Sequence, residues 1–82
     1  MLKVKGKKIY SNGEVIGSIV GHRDVSDPFA GYSVKLIDGR QFAVKPAIIR
    51  GEVSEINRGA FAYFDDAAKY VRNGGLESDM AA

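Results

Sequence analysis

The chain has 82 residues, 45% of them apolar and 27% charged, with four Phe, four Tyr and no Cys. This length supports one small core; the composition excludes a chain that is disordered over most of its length, and the missing cysteine excludes disulfides and thiolate zinc sites. A formal charge of +2 conceals a polarity, since residues 1–51 carry nine Lys/Arg against four Asp/Glu and residues 52–82 carry three against six. The basic front half suits a polyanion or the acidic half of a second copy. No run approaches the roughly 18 apolar residues of a membrane helix, and the first residues lack the apolar centre of a secretory signal. With the absent cysteine, these features predict a cytoplasmic protein without a membrane partner.

The first element is a strand through Lys3, Lys5 and Lys7, whose period-two spacing puts three ammonium groups on one solvated face. It enters a hairpin at Asn12-Gly13, the favoured pair of a type I′ turn because both positions take positive φ. Counting from that turn sets Tyr10 opposite Val15 and Ile9 opposite Ile16, so this hairpin is expected to be covered on both faces. Gly13, Gly17 and Gly21 recur every four residues, which in a β neighbourhood marks twist or close strand approach. Residues 24–31 contain Ser26-Asp27-Pro28 and read as a surface loop, with Phe29 folding back towards the core.

In the second hairpin a two-residue loop at Asp38-Gly39 would oppose Lys35 to Phe42 and Leu36 to Gln41, mixing buried and solvated side chains. A three-residue loop, Ile37-Asp38-Gly39, puts Gly39 in the left-handed position of a bulge and pairs Val34 with Phe42 and Tyr32 with Val44. Lys35 and Lys45 then project from the opposite face. Pro46 is expected to end the strand, with one helical turn over residues 47–50 before Gly51.

Residues 52–64 admit two readings. One is a third hairpin with Asn57-Arg58-Gly59 as its loop and Ile56 opposite Ala60. The other is a single helix from about residue 58 to 73, since Ile56, Ala60, Phe64, Ala67 and Val71 fall at helical spacing, with Gly59 costing about 1 kcal/mol inside it. Both make the segment after Phe64 helical, with Asp65 as N-cap, Lys69 and Arg72 at the negative end, and Phe64, Ala67, Ala68 and Val71 facing inward. Gly74-Gly75 stops it, and Leu76 to Ala82 reads as a frayed tail.

Assembled, residues 1–75 predict a single α+β domain, mainly β. Its centre is a twisted antiparallel sheet of four to six strands built from hairpins, curling towards an SH3-like barrel, with one C-terminal helix across it. The expected core is Ile9, Ile16, Ile19, Tyr32, Val34, Phe42, Val44, Phe61, Phe64, Ala67 and Val71.

Gly17-Ser18-Ile19-Val20-Gly21, then Gly31-Tyr32-Ser33-Val34, Gln41-Phe42 and Pro46-Ala47, are similar to the strand order of an SH3-like barrel, in particular that of the plasmid-borne type II dihydrofolate reductases. The resemblance covers about 30 residues and implies a barrel-like curl. That family's substrate strand reads Val-Gln-Ile-Tyr; here Arg40-Gln41-Phe42-Ala43 retains only Gln41, and the resemblance carries no reductase activity across.

Catalytic signals are missing. His22-Arg23-Asp24 spells the tripeptide of a protein-kinase catalytic loop, but the glycine-rich loop, strand lysine and magnesium-binding aspartate that a kinase needs do not accompany it. A lone imidazole supports neither a triad nor a metal site, and Asp65 and Asp66 point about 100° apart on a helix. No catalytic, cofactor-binding or metal-binding residue is therefore expected. What remains is basic and aromatic: Lys3, Lys5, Lys7, Lys35 and Lys45 on strands, Arg23 and Arg40 at strand ends, and Tyr10 and Phe29 able to stack on bases. The expectation is a small non-catalytic binding module that contacts nucleic acid through a lysine-bearing sheet face. Its rival is a protein-interaction module: an adaptor, an inhibitor of a larger partner, or a homo-oligomer built through edge strands.

Overall fold

The computed structural model describes residues 1–22 and 31–82, apart from the side chains of residues 47, 49 and 54–57. The loop expected between the first two hairpins, with Arg23 and Phe29, lies outside the described residues. Five antiparallel strands, β1 (Leu2–Lys5), β2 (Lys8–Ser11), β3 (Glu14–Gly21), β4 (Tyr32–Leu36) and β5 (Gln41–Phe42), follow one another across a sheet in chain order. A second, two-stranded ribbon consists of β6 (Val44–Ile49) and β7 (Glu52–Gly59), and two helices follow, α1 (Phe64–Arg72) and α2 (Gly75–Ala81). The α+β, mainly β architecture is as the hairpin pattern implies.

The expected single first strand is two. The chain reverses at Gly6-Lys7, where Gly6 takes a φ of +57° that a side chain disfavours, and Lys5 pairs with Lys8. Lys7 thus leaves the strand, and its carbonyl accepts the Ile19 N–H at 2.8 Å. The Asn12-Gly13 turn forms with both residues at positive φ, and Tyr10 opposes Val15 as expected. Ile9, however, opposes Gly17 rather than Ile16, because Ile16 is the extra residue of a bulge. The reason lies one strand further on: a Cβ at Gly17 would stand 2.6 Å from the Lys35 carbonyl oxygen, so only glycine lets β3 and β4 approach there.

The bulged Ile37-Asp38-Gly39 loop is present, with Gly39 at φ +94°, the Leu36 N–H donating to the Arg40 carbonyl at 2.8 Å, and Val34 opposite Phe42. The expected Tyr32–Val44 pair is not formed. Ala43 takes a φ of +58°, which turns the chain out of the sheet after two residues of β5, and Val44 opens the ribbon opposite Gly59. Tyr32 instead bridges to Phe61, donating its N–H to the Phe61 carbonyl at 2.7 Å. Gly59 lies directly on the Tyr32 backbone and a Cβ there would overlap it.

The ribbon replaces the helical turn at residues 47–50, the third hairpin and the long helix. Arg50 and Gly51 both take positive φ, 53° and 79°, forming a two-residue turn that joins β6 to β7. Pro46 stays inside β6, opposite Asn57 and beside a register irregularity. In a two-stranded ribbon every strand is an edge, and an edge tolerates a missing donor.

Helix α1 begins one residue before the expected cap. Tyr63 is extended, at φ −122° and ψ 146°, its carbonyl accepts from the Asp66 and Ala67 amides, and no side chain caps the turn. Asp65 and Asp66 occupy the first turn, where their charge suits the positive end of the dipole. The expected frayed tail is α2. Leu76 drives it inward and is fully buried, the Leu2 N–H donates to Glu77 Oε1 at 3.1 Å, and the Tyr70 hydroxyl donates to Asp79 Oδ2 at 2.5 Å.

The core gathers Leu2, Ile9, Ile19, Val34 and Leu36 from one sheet face and Ala67, Ala68, Val71 and Leu76 from the helices. Ile16, Tyr32, Phe42, Phe61 and Phe64 are half-buried around it, and Val44 is half-buried in the ribbon. Tyr32 and Phe64 meet edge to face at 5.8 Å, and Phe61 and Tyr70 lie 5.2 Å apart, fastening α1 to the ribbon junction. Both helices pack on a single face of the sheet.

Two outcomes follow. Leu76→Ala should lower unfolding free energy in denaturant titration by about 2–5 kcal/mol, the range for emptying a buried leucine site. Burial, followed by the Asp79 carboxylate, raises the Tyr70 pKa above its ordinary value of about 10. A raised pKa means a contribution complete below pH 10 and lost as the pH climbs beyond it. Thermal stability should therefore fall in that alkaline range, and Tyr70→Phe should flatten the fall.

Candidate nucleic-acid interface

With the helices on one face, the register of β1–β5 decides what the other face displays. Lys5 opposes Lys8, Lys8 opposes Ser18, Ser18 opposes Lys35, and Lys35 opposes Gln41, so one row crosses all five strands. Directly opposed residues share a face, and strands are about 4.8 Å apart, so Lys5 and Lys35 are anchored roughly 14 Å apart on it. The adjacent row is Lys3, Tyr10 and Val15. No acidic residue has its place on this face of β1–β5.

Lys3, Lys5, Lys8 and Lys35 are exposed, and among the described residues none forms an ion pair or side-chain hydrogen bond. Tyr10 is half-buried, and Val15 beside it is 38% exposed. The expectation that this hairpin is covered on both faces is therefore corrected: the helices cover only the Ile9 side. Met1, Lys3, Lys5, Tyr10, Asn12 and Gly13 border a depression of about 310 Å³ at the end of the row, small but within the range of ligand-holding clefts.

Several expected members fall elsewhere. Lys7 is in the β1–β2 turn, and Lys45 is on the ribbon opposite Arg58. Arg40 sits in the bulged loop, where its Nε lies 2.8 Å from Asp38 Oδ2 and its guanidinium stands 5.9 Å from the Phe42 ring centre. The Arg40 backbone N–H, with its guanidinium, holds the Asp38 carboxyl below the ordinary carboxylate range. That charge is already neutralised locally. Lys8 was not among the expected contacts; its signal was Gly6, which turns Lys5-Gly6-Lys7-Lys8 into a hairpin and brings Lys8 to the face that Lys7 leaves.

His22 Nε2 lies 2.6 Å from Ser33 Oγ, and the His22 N–H donates to the Gly31 carbonyl at 2.8 Å. Ser33 is 1% exposed, so its hydroxyl offers no approach to a substrate. The pair closes the ends of the segment between β3 and β4. Among the described residues no three His, Asp or Glu gather as a metal site, and no helix is long and apolar enough to cross a membrane. A larger depression, about 600 Å³, runs beneath Ile16, Leu36, Ile37 and Met80, away from the lysine row. Comparison with protein-family models, with curated proteins and with solved structures returns no match to this chain.

Proposed function

We propose that the protein is a non-catalytic binding module that holds nucleic acid against the lysine-bearing face of β1–β5. The observation that carries this reading is the unbroken row Lys5–Lys8–Ser18–Lys35–Gln41, with Lys3 beside it and no carboxylate on the face. Solvated ammonium groups of one sign on a flat surface attract phosphates and release their counterions, and the ligand's own charge supplies most of the affinity. The cytoplasm is a compartment consistent with a cysteine-free chain of this kind.

Four lysines neutralising about four phosphates give a log–log salt dependence with a slope near −3. Affinity for an oligonucleotide, followed by fluorescence anisotropy, should show that slope, and Lys5→Glu with Lys8→Glu should abolish binding at moderate salt. Lys45→Glu with Arg50→Glu changes net charge equally but on the ribbon, and should weaken binding far less. Equal losses from the two pairs would mean that net charge, not this face, attracts the ligand.

The ribbon favours a second reading, a protein-interaction surface. Ile48 and Val53 oppose each other near its turn at 67% and 74% exposure, an apolar pair that isolated solvation does not reward. If a partner or a second copy covers it, light scattering of the pure protein or of a mixture with that partner shows a complex that Ile48→Asp disperses. A monomer at high concentration excludes the homo-oligomer.

A further inference from the structure

We infer that the nucleic acid bound here is single-stranded and that Tyr10 is the platform on which one of its bases stacks, an inference that rests on the nucleic-acid reading above. The lysines lie on the body of a sheet, and a sheet body cannot enter a duplex groove, where a helix or a two-stranded ribbon is needed to reach base edges. The element shaped for a groove is the β6–β7 ribbon, but the opposed pairs behind its turn are Ile49 with Glu52 and Ile48 with Val53, an acidic and an apolar tip that phosphates do not favour. The ribbon's cations, Lys45, Arg50 and Arg58, share it with Glu52 and Glu55, whereas the lysine row of the sheet has no carboxylate beside it.

Tyr10 is the direct cross-strand partner of Lys3 and lies one row from Lys5 and Lys8. With Val15 it forms an apolar island at the β1–β3 end of a face whose other apolar strand residue, Val20, lies across the lysine row from it. In a duplex the bases are stacked on one another and present no π-face to such a ring. In a single strand each unstacked base does, and aromatic stacking beside a cationic track is how such chains are held without sequence preference. The depression of about 310 Å³ beside the ring has Lys3 and Lys5 on its border, where a backbone phosphate would sit, and Asn12 and Gly13 at the hairpin turn, where the base edge would meet the exposed Asn12 amide. Lys8 and Lys35 continue the track across β2 and β4.

Anisotropy titrations of the full chain with a labelled 12-nucleotide oligothymidine, and with a duplex of the same length at the same salt, test this. The single strand should bind at least tenfold more tightly. Tyr10→Ala should weaken single-strand binding roughly 5- to 150-fold, the range for losing one stacked base, with the salt slope unchanged, and Tyr10→Phe should bind like the parent chain. Tyr10→Leu keeps the bulk without the ring, and its loss of affinity with an unchanged circular dichroism spectrum separates stacking from folding. Equal or tighter duplex binding, or parent-like affinity in Tyr10→Leu while Lys5→Glu with Lys8→Glu still abolishes binding, overturns the single-strand inference and leaves the nucleic-acid reading standing. No binding to either oligonucleotide overturns both.

Discussion

Burial on one side only is the constraint on which the rest of this molecule depends. A chain of 82 residues has enough apolar side chains for one core, and Leu2, Ile9, Ile19, Val34 and Leu36 spend them on a single sheet face. Ala67 and Ala68 are small enough to let α1 lie close to that face, and Leu76 draws α2 in beside it. Alternation does the rest: once Ile9, Ile19 and Val34 point inward, Lys8, Ser18 and Lys35 must point outward. The lysine row is the geometric complement of the core, and its position is as firmly determined as the core itself.

The ribbon is attached by a different kind of contact. At the junction of β7 with β4, Gly59 lies against the Tyr32 backbone, and a Cβ on Gly31 would stand 2.5 Å from the Phe61 carbonyl oxygen. Main chain meets main chain there, sealed by the exchange of hydrogen bonds between Tyr32 and Phe61. Beyond that junction the ribbon meets solvent with Ile48 and Val53, so the molecule joins a well-packed body to an arm whose distal pair gains nothing from the core.

Local chemistry made some of this legible in the residues alone and hid the rest. Asn12-Gly13 and Ile37-Asp38-Gly39 announced their turns because backbone geometry and side-chain alternation agreed there. Gly6-Lys7 did not, since Lys3, Lys5 and Lys7 also alternate correctly for an uninterrupted strand; only the pairing of β1 with β2 distinguishes the two. Pro46 argued for a strand end, and that argument fails in a ribbon without interior strands. Ala43 carries no signal for positive φ, so the departure from β5 was invisible. The tail gives no sign of α2 because a seven-residue helix has too short a pattern to stand out, and its order comes from Leu76 entering the shared core, Glu77 meeting Leu2 far away in sequence and Asp79 meeting Tyr70 of the preceding helix. Of the candidate site, Lys3, Lys5, Tyr10 and Lys35 were found together, Lys8 was hidden by the missed turn, and Lys7, Arg40 and Lys45 were scattered by it and by the bulged loop and ribbon.

The direct opposition of Lys5 and Lys8 carries a thermodynamic consequence of its own. Like charges facing each other across a ladder repel, and here the row continues through Ser18 to Lys35 without a carboxylate to offset them. The face is thus under electrostatic tension, which mobile ions relax by screening. Ionic strength acts on this protein with two signs: it steadies the unliganded sheet while weakening its hold on a polyanion, and a bound polyanion relieves the same repulsion that salt would.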